Sequence, residues 1–430
     1  MVYDVIKKVS PAIAPVLALV LLIMPTDVVG EELVTLDEVR QAIPERHETQ
    51  EITELQIRQS RAMQRQALAA LLPQLNASAN VTRHGGEEVE IGGQTFRERY
   101  DWSVGSVASI ALFDGPAYFE YWRSEAMVEF TEQSAMWQRK MLLLEGEVAF
   151  FTLASAQREV EIAESAIEQS RQYVEQAEAL VEAGLAVTVD ISRARTQVLE
   201  AEQTRLEAEA ALGDAADALA TLLGREAAGQ LRADFDPAQV EVEFPDEAMA
   251  VDVTRADFAG RVSQIEAAEL GRRGIWWSLA PRLELRLNNT WGQTTDFNPE
   301  RHNWSLTLAA TWNLYDGGAR YARADAAQAE VRQLELELQR DLRDADAELV
   351  SALRQWRSTA ARIEVATQQV ELAQEVYEQT MARFESGLAT SIEVSDATQE
   401  LLNAELRLNQ IRLQARLAEV RYRYLEIDDE

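Results

Sequence analysis

Glu393 and Asp396 stand three residues apart, shortly after Gly387-Leu388, so in the first turns of a helix they share one face. Carboxylates so placed suit the positive end of a helix dipole. Asp190 holds the place of Glu393 in an earlier segment. Little else in the 430 residues could do chemistry. There is no cysteine, which excludes thiol catalysis, Cys-based zinc or iron–sulfur sites, disulfides and a lipidated cysteine anchor. Three histidines, His47, His84 and His302, leave little for metal or acid–base work. A formal charge of −32 repels phosphate backbones, so no nucleic-acid partner is expected. No catalytic constellation, cofactor or metal is expected, and the chain does not read as an enzyme.

The elements that carry these carboxylates occur twice. Residues 181–204 align without a gap on 384–407, with Gly184/Gly387, Leu185/Leu388, Ala186/Ala389, Ser192/Ser395, Ala194/Ala397, Leu199/Leu402 and Glu202/Glu405 identical. Upstream, Leu72-Pro73-Gln74-Leu75 echoes Ala280-Pro281-Arg282-Leu283, and Asp114-Gly115-Pro116 echoes Asp316-Gly317-Gly318. Around each shared Gly-Leu the apolar residues step by three and four. Ala163, Ile167, Ser170, Val174 and Ala177 precede the first, and Ala366, Val370, Ala373, Tyr377 and Phe384 the second. Beyond the second the series continues through Val394, Ala397, Leu401, Ala404, Leu408, Ile411, Ala415, Ala418, Tyr422 and Leu425. That is a heptad seam, and it needs a neighbouring helix. No proline interrupts 117–183 or 318–386, so each run predicts a helix of roughly 100 Å.

Between the helical runs the period changes to two. Strands are predicted over Gln74–Arg83, Tyr100–Phe113, Arg282–Trp291 and Asn303–Leu314, each apolar on one face and polar on the other, with aromatic residues toward the ends. Strands of about ten residues with this pattern suit an outer-membrane barrel; a soluble sheet packed on helices is the alternative. Four strands cannot close a barrel, so several copies must share one. The connections His84–Arg99 and Gly292–Asn303 read as polar loops. At Asp114-Gly115 and Asp316-Gly317-Gly318 the strands run straight into helices. There Gly would relieve the backbone and Asp would cap the helix.

Residues 1–30 carry Lys7 and Lys8, then an apolar run from Val16 to Met24, and read as a secretory signal peptide; a retained weak anchor is the alternative. The layout is then a first repeat over 31–223, an irregular linker over 224–253 with Pro237 and Pro245, and a second repeat over 254–430.

In this order and spacing, Glu182-Ala183-Gly184-Leu185 to Asp190, Glu385-Ser386-Gly387-Leu388 to Glu393, Leu72-Pro73, Leu112-Phe113-Asp114-Gly115 and Leu314-Tyr315-Asp316-Gly317-Gly318 resemble the TolC-like outer-membrane efflux protein family. The segment Leu33–Val39 looks like the family's opening helix. The resemblance implies a fold that is mainly α with a membrane β-barrel. Three copies would form a 12-stranded barrel, continued across the periplasm by an α-helical barrel. It implies a passive exit duct for efflux or type I secretion, set in outer-membrane lipid. A periplasmic membrane fusion (adaptor) protein and an inner-membrane transporter of RND or ABC type would dock on it. Glu393 and Asp396 would form a carboxylate ring at the channel entrance, unless they serve only the helix dipole. Gly184 and Gly387 would make the hairpin turns, Leu185 and Leu388 the adaptor contact, and Asp190 a hairpin or dipole contact. The chain departs from the family where Tyr and Arg latch the closed tip, because Phe384 and Ala389 stand there. Without channel activity the same heptads would make an extended periplasmic coiled-coil scaffold.

Overall fold

The two sequence periods resolve into two kinds of element. The computed structural model describes residues 32–85, 89–92, 94–97, 100–225, 231–236, 251–292 and 301–426. In chain order these form β1 (Glu32–Val34), α1 (Leu36–Arg46), α2 (Glu48–Ala69), β2 (Gln74–Arg83), β3 (Val89–Ile91), β4 (Gln94–Arg97), β5 (Tyr100–Phe113), α3 (Gly115–Glu182), α4 (Thr188–Leu222), β6 (Leu231–Ala233), α5 (Ala256–Trp277), β7 (Arg282–Gly292), β8 (His302–Thr311), α6 (Ala319–Glu385) and α7 (Ser391–Glu426). The signal segment lies outside the described residues. No described helix is long and apolar enough to cross a membrane.

By contacts the chain divides into two compact units, each drawing on both halves of the sequence. One gathers Met1–Ile43, Gly146–Val242 and Thr359–Leu417; the other gathers Pro44–Glu145, Glu243–Ser358 and Ala418–Glu430.

The second unit holds the sheet, in the order β2-β5-β7-β8 and antiparallel throughout. Its register carries the alternation of single strands across all four. Leu75 faces Ala108, Ala108 faces Leu287, and Leu287 faces Leu306, while Asn76, Val107, Asn288 and Ser305 form the adjacent row. One face is therefore built from Leu75, Val81, Trp102, Val104, Leu287, Trp291, Trp304, Leu306 and Leu308, all of them exposed. The other carries Asn76, Ser78, Asn80, Ser103, Thr290, Asn303, Ser305 and Thr307. Among the described residues no residue of these four strands is fully buried, and the outer edges of β2 and β8 have no pairing strand. Two strand expectations are corrected. The last strand ends at Thr311 rather than Leu314, where the Trp312 Nε1–H leaves the strand pattern to donate to the Leu279 carbonyl at 2.7 Å. The stretch expected as a loop at 84–99 contains the β3–β4 hairpin, which turns at Gly92 with φ +65°.

The first unit packs segments of α3, α4, α6 and α7. Its heptad positions behave as the spacing predicts: the seven apolar positions from Val394 to Ala415 are buried, and so are Ala418, Tyr422 and Leu425 in the second unit. Ala373, Tyr377, Ala397, Leu401 and Ala404 form one cluster along α6 and α7. Ile162, Ala166, Ile167, Ala201 and Leu402 form another among α3, α4 and α7. Alanine dominates these layers because a small side chain lets two helices approach closely.

Two features of this unit gave no periodic signal. Residues 33–34, expected inside the opening helix, form strand β1, which pairs in parallel with β6 from the 224–253 linker. The helix begins at Leu36, where Thr35 and Glu38 cap it reciprocally. Gln157 of α3 holds this small sheet in place, with its Oε1 accepting from the Ala233 N–H at 2.7 Å. In the same unit Arg40 donates to the fully buried Glu147 at 2.7 Å.

Candidate functional site

The two hairpin tips repeat one backbone design. In the first, the Leu185 N–H donates to the Leu180 carbonyl at 2.9 Å and the Gly184 N–H to the Val181 carbonyl at 3.0 Å. In the second, Leu388 donates to Arg383 at 2.8 Å and Gly387 to Phe384 at 2.9 Å. Both closures need a left-handed residue, and Gly184 (φ +75°) and Gly387 (φ +71°) supply it. Leu185 and Leu388, beside the glycines, are 69% and 71% exposed. Val187, Val189 and Ile392 are exposed with them.

The carboxylates after the two turns diverge. Glu393 Oε2 accepts from the Thr390 N–H at 2.6 Å and from the Thr390 hydroxyl at 2.9 Å. The Glu393 N–H in turn donates to Thr390 Oγ1 at 3.4 Å, completing a capping box. The backbone bond to Thr390 first, then the hydroxyl, holds the Glu393 carboxyl below the usual carboxylate range. Asp396, one turn on, is also exposed. Asp190 caps its own helix with one oxygen, accepting from the Val187 N–H at 3.1 Å. Its other oxygen accepts from the Ser391 hydroxyl of the second hairpin at 2.6 Å. Asp190 thus joins the hairpins, while Glu393 turns back on its own cap.

Around that link the hairpins are joined further. The Tyr173 hydroxyl donates to the Ser391 carbonyl at 2.9 Å, and Arg193 donates to Ser391 Oγ at 3.2 Å. The Ser395 hydroxyl donates to Gln197 Oε1 at 2.7 Å. Tyr173 and Phe384 meet edge to face at 5.5 Å, inside a cluster with Ala177, Leu180, Ala194 and Val394. Burial raises the Tyr173 hydroxyl above its ordinary pKa, so it stays a donor. Phe384 is thus a member of this cluster, and Ala389 packs against it. Tyr173, Arg193 and Ser391 carried no local signal in the sequence; their repeat counterparts are Val376, Asp396 and Thr188.

At the strand–helix junctions both aspartates accept from backbone N–H groups, while the glycines differ in role. Asp114 Oδ1 accepts from the Ala117 N–H at 3.3 Å, and Asp316 accepts from the Gly318 and Arg320 N–H groups at 3.2 and 3.0 Å. Gly317 (φ +70°) and Gly318 (φ +89°) do relieve the backbone. Gly115 does not: it begins α3, and a Cβ there would lie 2.8 Å from Trp277 Cβ. Its missing side chain makes room for a neighbour. Arg282 Nε sits 3.2 Å from Asp114 Oδ2, tying β7 to this corner. The buried Arg320 reaches Ser278 Oγ and the Asn313 carbonyl at 3.1 Å each.

An open sheet with one apolar and one polar face, in a chain that also forms paired helical hairpins, suits an outer-membrane protein. The chain belongs to the outer membrane efflux protein family, whose sequence profile matches residues 40–225 and 277–425. Solved structures share the fold. The channel protein CusC superposes with a TM-score of 0.78 at 19% identity over 91% of each chain. VceC, an outer membrane protein of Vibrio cholerae, gives 0.77 at 18% over 91% of this chain and 96% of its own. The CmeC outer membrane channel of Campylobacter jejuni gives 0.76 at 16% over 92% and 87%. No match is found among curated protein sequences. The chain is an outer membrane efflux protein rather than an enzyme.

Proposed function

We propose that three copies of this chain form one passive exit duct through the outer membrane and into the periplasm. It would serve a tripartite efflux or secretion system. The carrying observation is the sheet: its uncovered apolar face suits lipid, and its polar face of Asn, Ser and Thr suits water. The free edges of β2 and β8 cannot face hydrocarbon, because unpaired backbone groups there cost several kcal/mol each. Three chains of four strands give a closed 12-stranded barrel within the usual size range. The exposed Leu185 and Leu388 would meet the periplasmic adaptor, itself bound to an inner-membrane transporter. The chain reads as a duplicated unit, 31–223 and 254–430, joined by 224–253.

Glu393 and Asp396 are proposed as entrance carboxylates. Three copies would bring six carboxylates to one level, a field that admits cations and opposes anions. Native mass in detergent and planar-bilayer conductance test the reading together. A conducting species of three chains is expected, with cation selectivity reduced in Glu393→Gln/Asp396→Asn. A stable monomer, or a conducting dimer, overturns the duct. Recovery only from the soluble periplasmic fraction would mark a scaffold. Unchanged selectivity in the double variant would leave the two acids as cap and dipole residues.

A further inference from the structure

Within the first unit, α3 and α7 are tied at two polar points. At one the Tyr173 hydroxyl donates to the Ser391 carbonyl. At the other Asn409 Nδ2 donates to the Ser155 carbonyl and to Ser155 Oγ, both at 3.0 Å. Ser155 stands 18 residues before Tyr173 and Asn409 stands 18 after Ser391, so one antiparallel register spans both points. Between them the seam is apolar, with Ile162, Ala166, Ile167 and Leu402 in one cluster.

The second point is incompletely bonded. Asn409 is 2% exposed, and its Oδ1 is buried with no hydrogen-bond partner among the described residues. A buried amide oxygen left unpaired is destabilising. Nδ2 also reaches Glu159 Oε1, at 3.4 Å, which is long for an N–H···O bond. Ionised, Glu159 can only accept and has nothing to offer Oδ1; protonated, it gains an O–H donor. Nδ2 and Oδ1 are two arms of one amide, so a small side-chain rotation carries the carboxyl from one to the other. Burial raises the Glu159 carboxyl above its ordinary range, opposed by the bond from Asn409.

The charges around Glu159 come from each neighbouring element. Arg158, beside it on α3, pairs with Glu161 at 2.6 Å. Glu405 and Arg412 stand on α7, each one turn from Asn409. Burial also raises the Glu405 carboxyl, which Arg158 partly offsets. Asp236, beyond β6, acts on Arg412. On α4, Asp214 stands level with Glu159 in the register of the Arg195–Glu178 and Arg171–Glu202 pairs.

We propose that Ser155, Glu159 and Asn409 form a proton-operated clasp between the two hairpins, closed when the Glu159 carboxyl donates to Asn409 Oδ1. The clasp lies within one copy and does not depend on the three-copy duct. Acid tightens it. A carboxyl raised in the folded chain contributes fully below its unfolded value, and the contribution is lost as pH rises through the folded value. The repeat counterparts, Ser358, Arg362 and Leu206, cannot make the same arrangement, so the device belongs to this seam alone.

Amide exchange of the full-length protein in detergent, taken relative to the intrinsic rate at each pH, tests the clasp at residues 150–162 and 402–412. From about pH 8 to about pH 4, protection in wild type should rise, by up to about tenfold for each unit separating the folded and unfolded values. Glu159→Gln supplies a permanent N–H donor and should be flat at the acid level. Glu159→Met removes the charge without supplying a donor and should be flat at a lower level. Glu405→Gln should keep the wild-type rise. A flat wild type, or a rise that survives in Glu159→Gln or vanishes in Glu405→Gln, overturns the clasp. Equal protection in Glu159→Met and Glu159→Gln also overturns it, because relief of a buried charge would then suffice.

Discussion

The two hairpin tips share a turn, a glycine and a following acid, yet they are stabilised in different ways. At the second tip, Thr390 and Glu393 satisfy each other and need nothing from elsewhere. At the first tip the cap residue is Val187, which has no side-chain acceptor, and Asp190 reaches both its own backbone and Ser391 across the hairpins. The cap of the first tip therefore reaches across to the second hairpin, while the cap of the second closes on itself. Duplication preserved the backbone and let the side chains specialise.

The sharpest way to break that contrast is at the aromatic contact. Phe384→Ala removes a ring that is 3% exposed and should cost about 3–5 kcal/mol of local stability. It should loosen both tips, because Tyr173 of the first hairpin loses its partner. The repeat counterpart, Val181→Ala, is only partly buried and should cost less and act on the first tip alone. Amide exchange at residues 180–190 and 383–395 reads both. Equal effects of the two substitutions would erase the asymmetry.

Exchanging the caps probes the next level. Thr390→Val should cost about 1 kcal/mol at the start of α7, and Val187→Thr should return a similar or smaller gain at the start of α4. Protection of the two first turns should then reverse in rank. No change on Thr390→Val would mean that packing alone holds the second tip.

The smallest effect concerns pH. The folded carboxyl of Glu393 is depressed, so its capping contribution is complete above the unfolded carboxylate value and is lost as pH falls through the folded value. Protection in the first turn of α7 should decline over that acid range in wild type and be flat in Glu393→Gln. An equal decline in the variant would assign the titration to another group. Carboxylates crowded at an entrance would raise one another's pKa, opposite in sign to the effect of Thr390 within one chain. A midpoint moving upward on assembly would therefore report the ring.

Much of this was legible in the sequence because it is periodic. Gln74–Arg83 and Tyr100–Phe113 are strands to the residue, and the heptad positions of α7 are buried from end to end. The glycine turns recur at the offset of the duplicated segment. Less legible was whatever depends on a single contact. Residues 32–34 and 231–233 are each too short to show a period, yet they pair. Ser391 lies 201 positions from Asp190, and neither residue signals the other. Gly115 and Gly317 share a motif, but one is dictated by Trp277 and the other by its own φ.

By itself the sequence determined the alternation of strands and helices, the duplication, the turn glycines and the absence of thiol chemistry. These follow from local sterics and from which face of an element is apolar, both properties of neighbouring residues. Only the tertiary structure decided that the four strands order as β2-β5-β7-β8 with two free edges. It also decided that Asp190 bridges hairpins while Glu393 caps, and that Leu199 and Val365 remain uncovered. The pairing of β5 with β7 and the contact of Asp190 with Ser391 join residues far apart in sequence, and only the packed chain sets them.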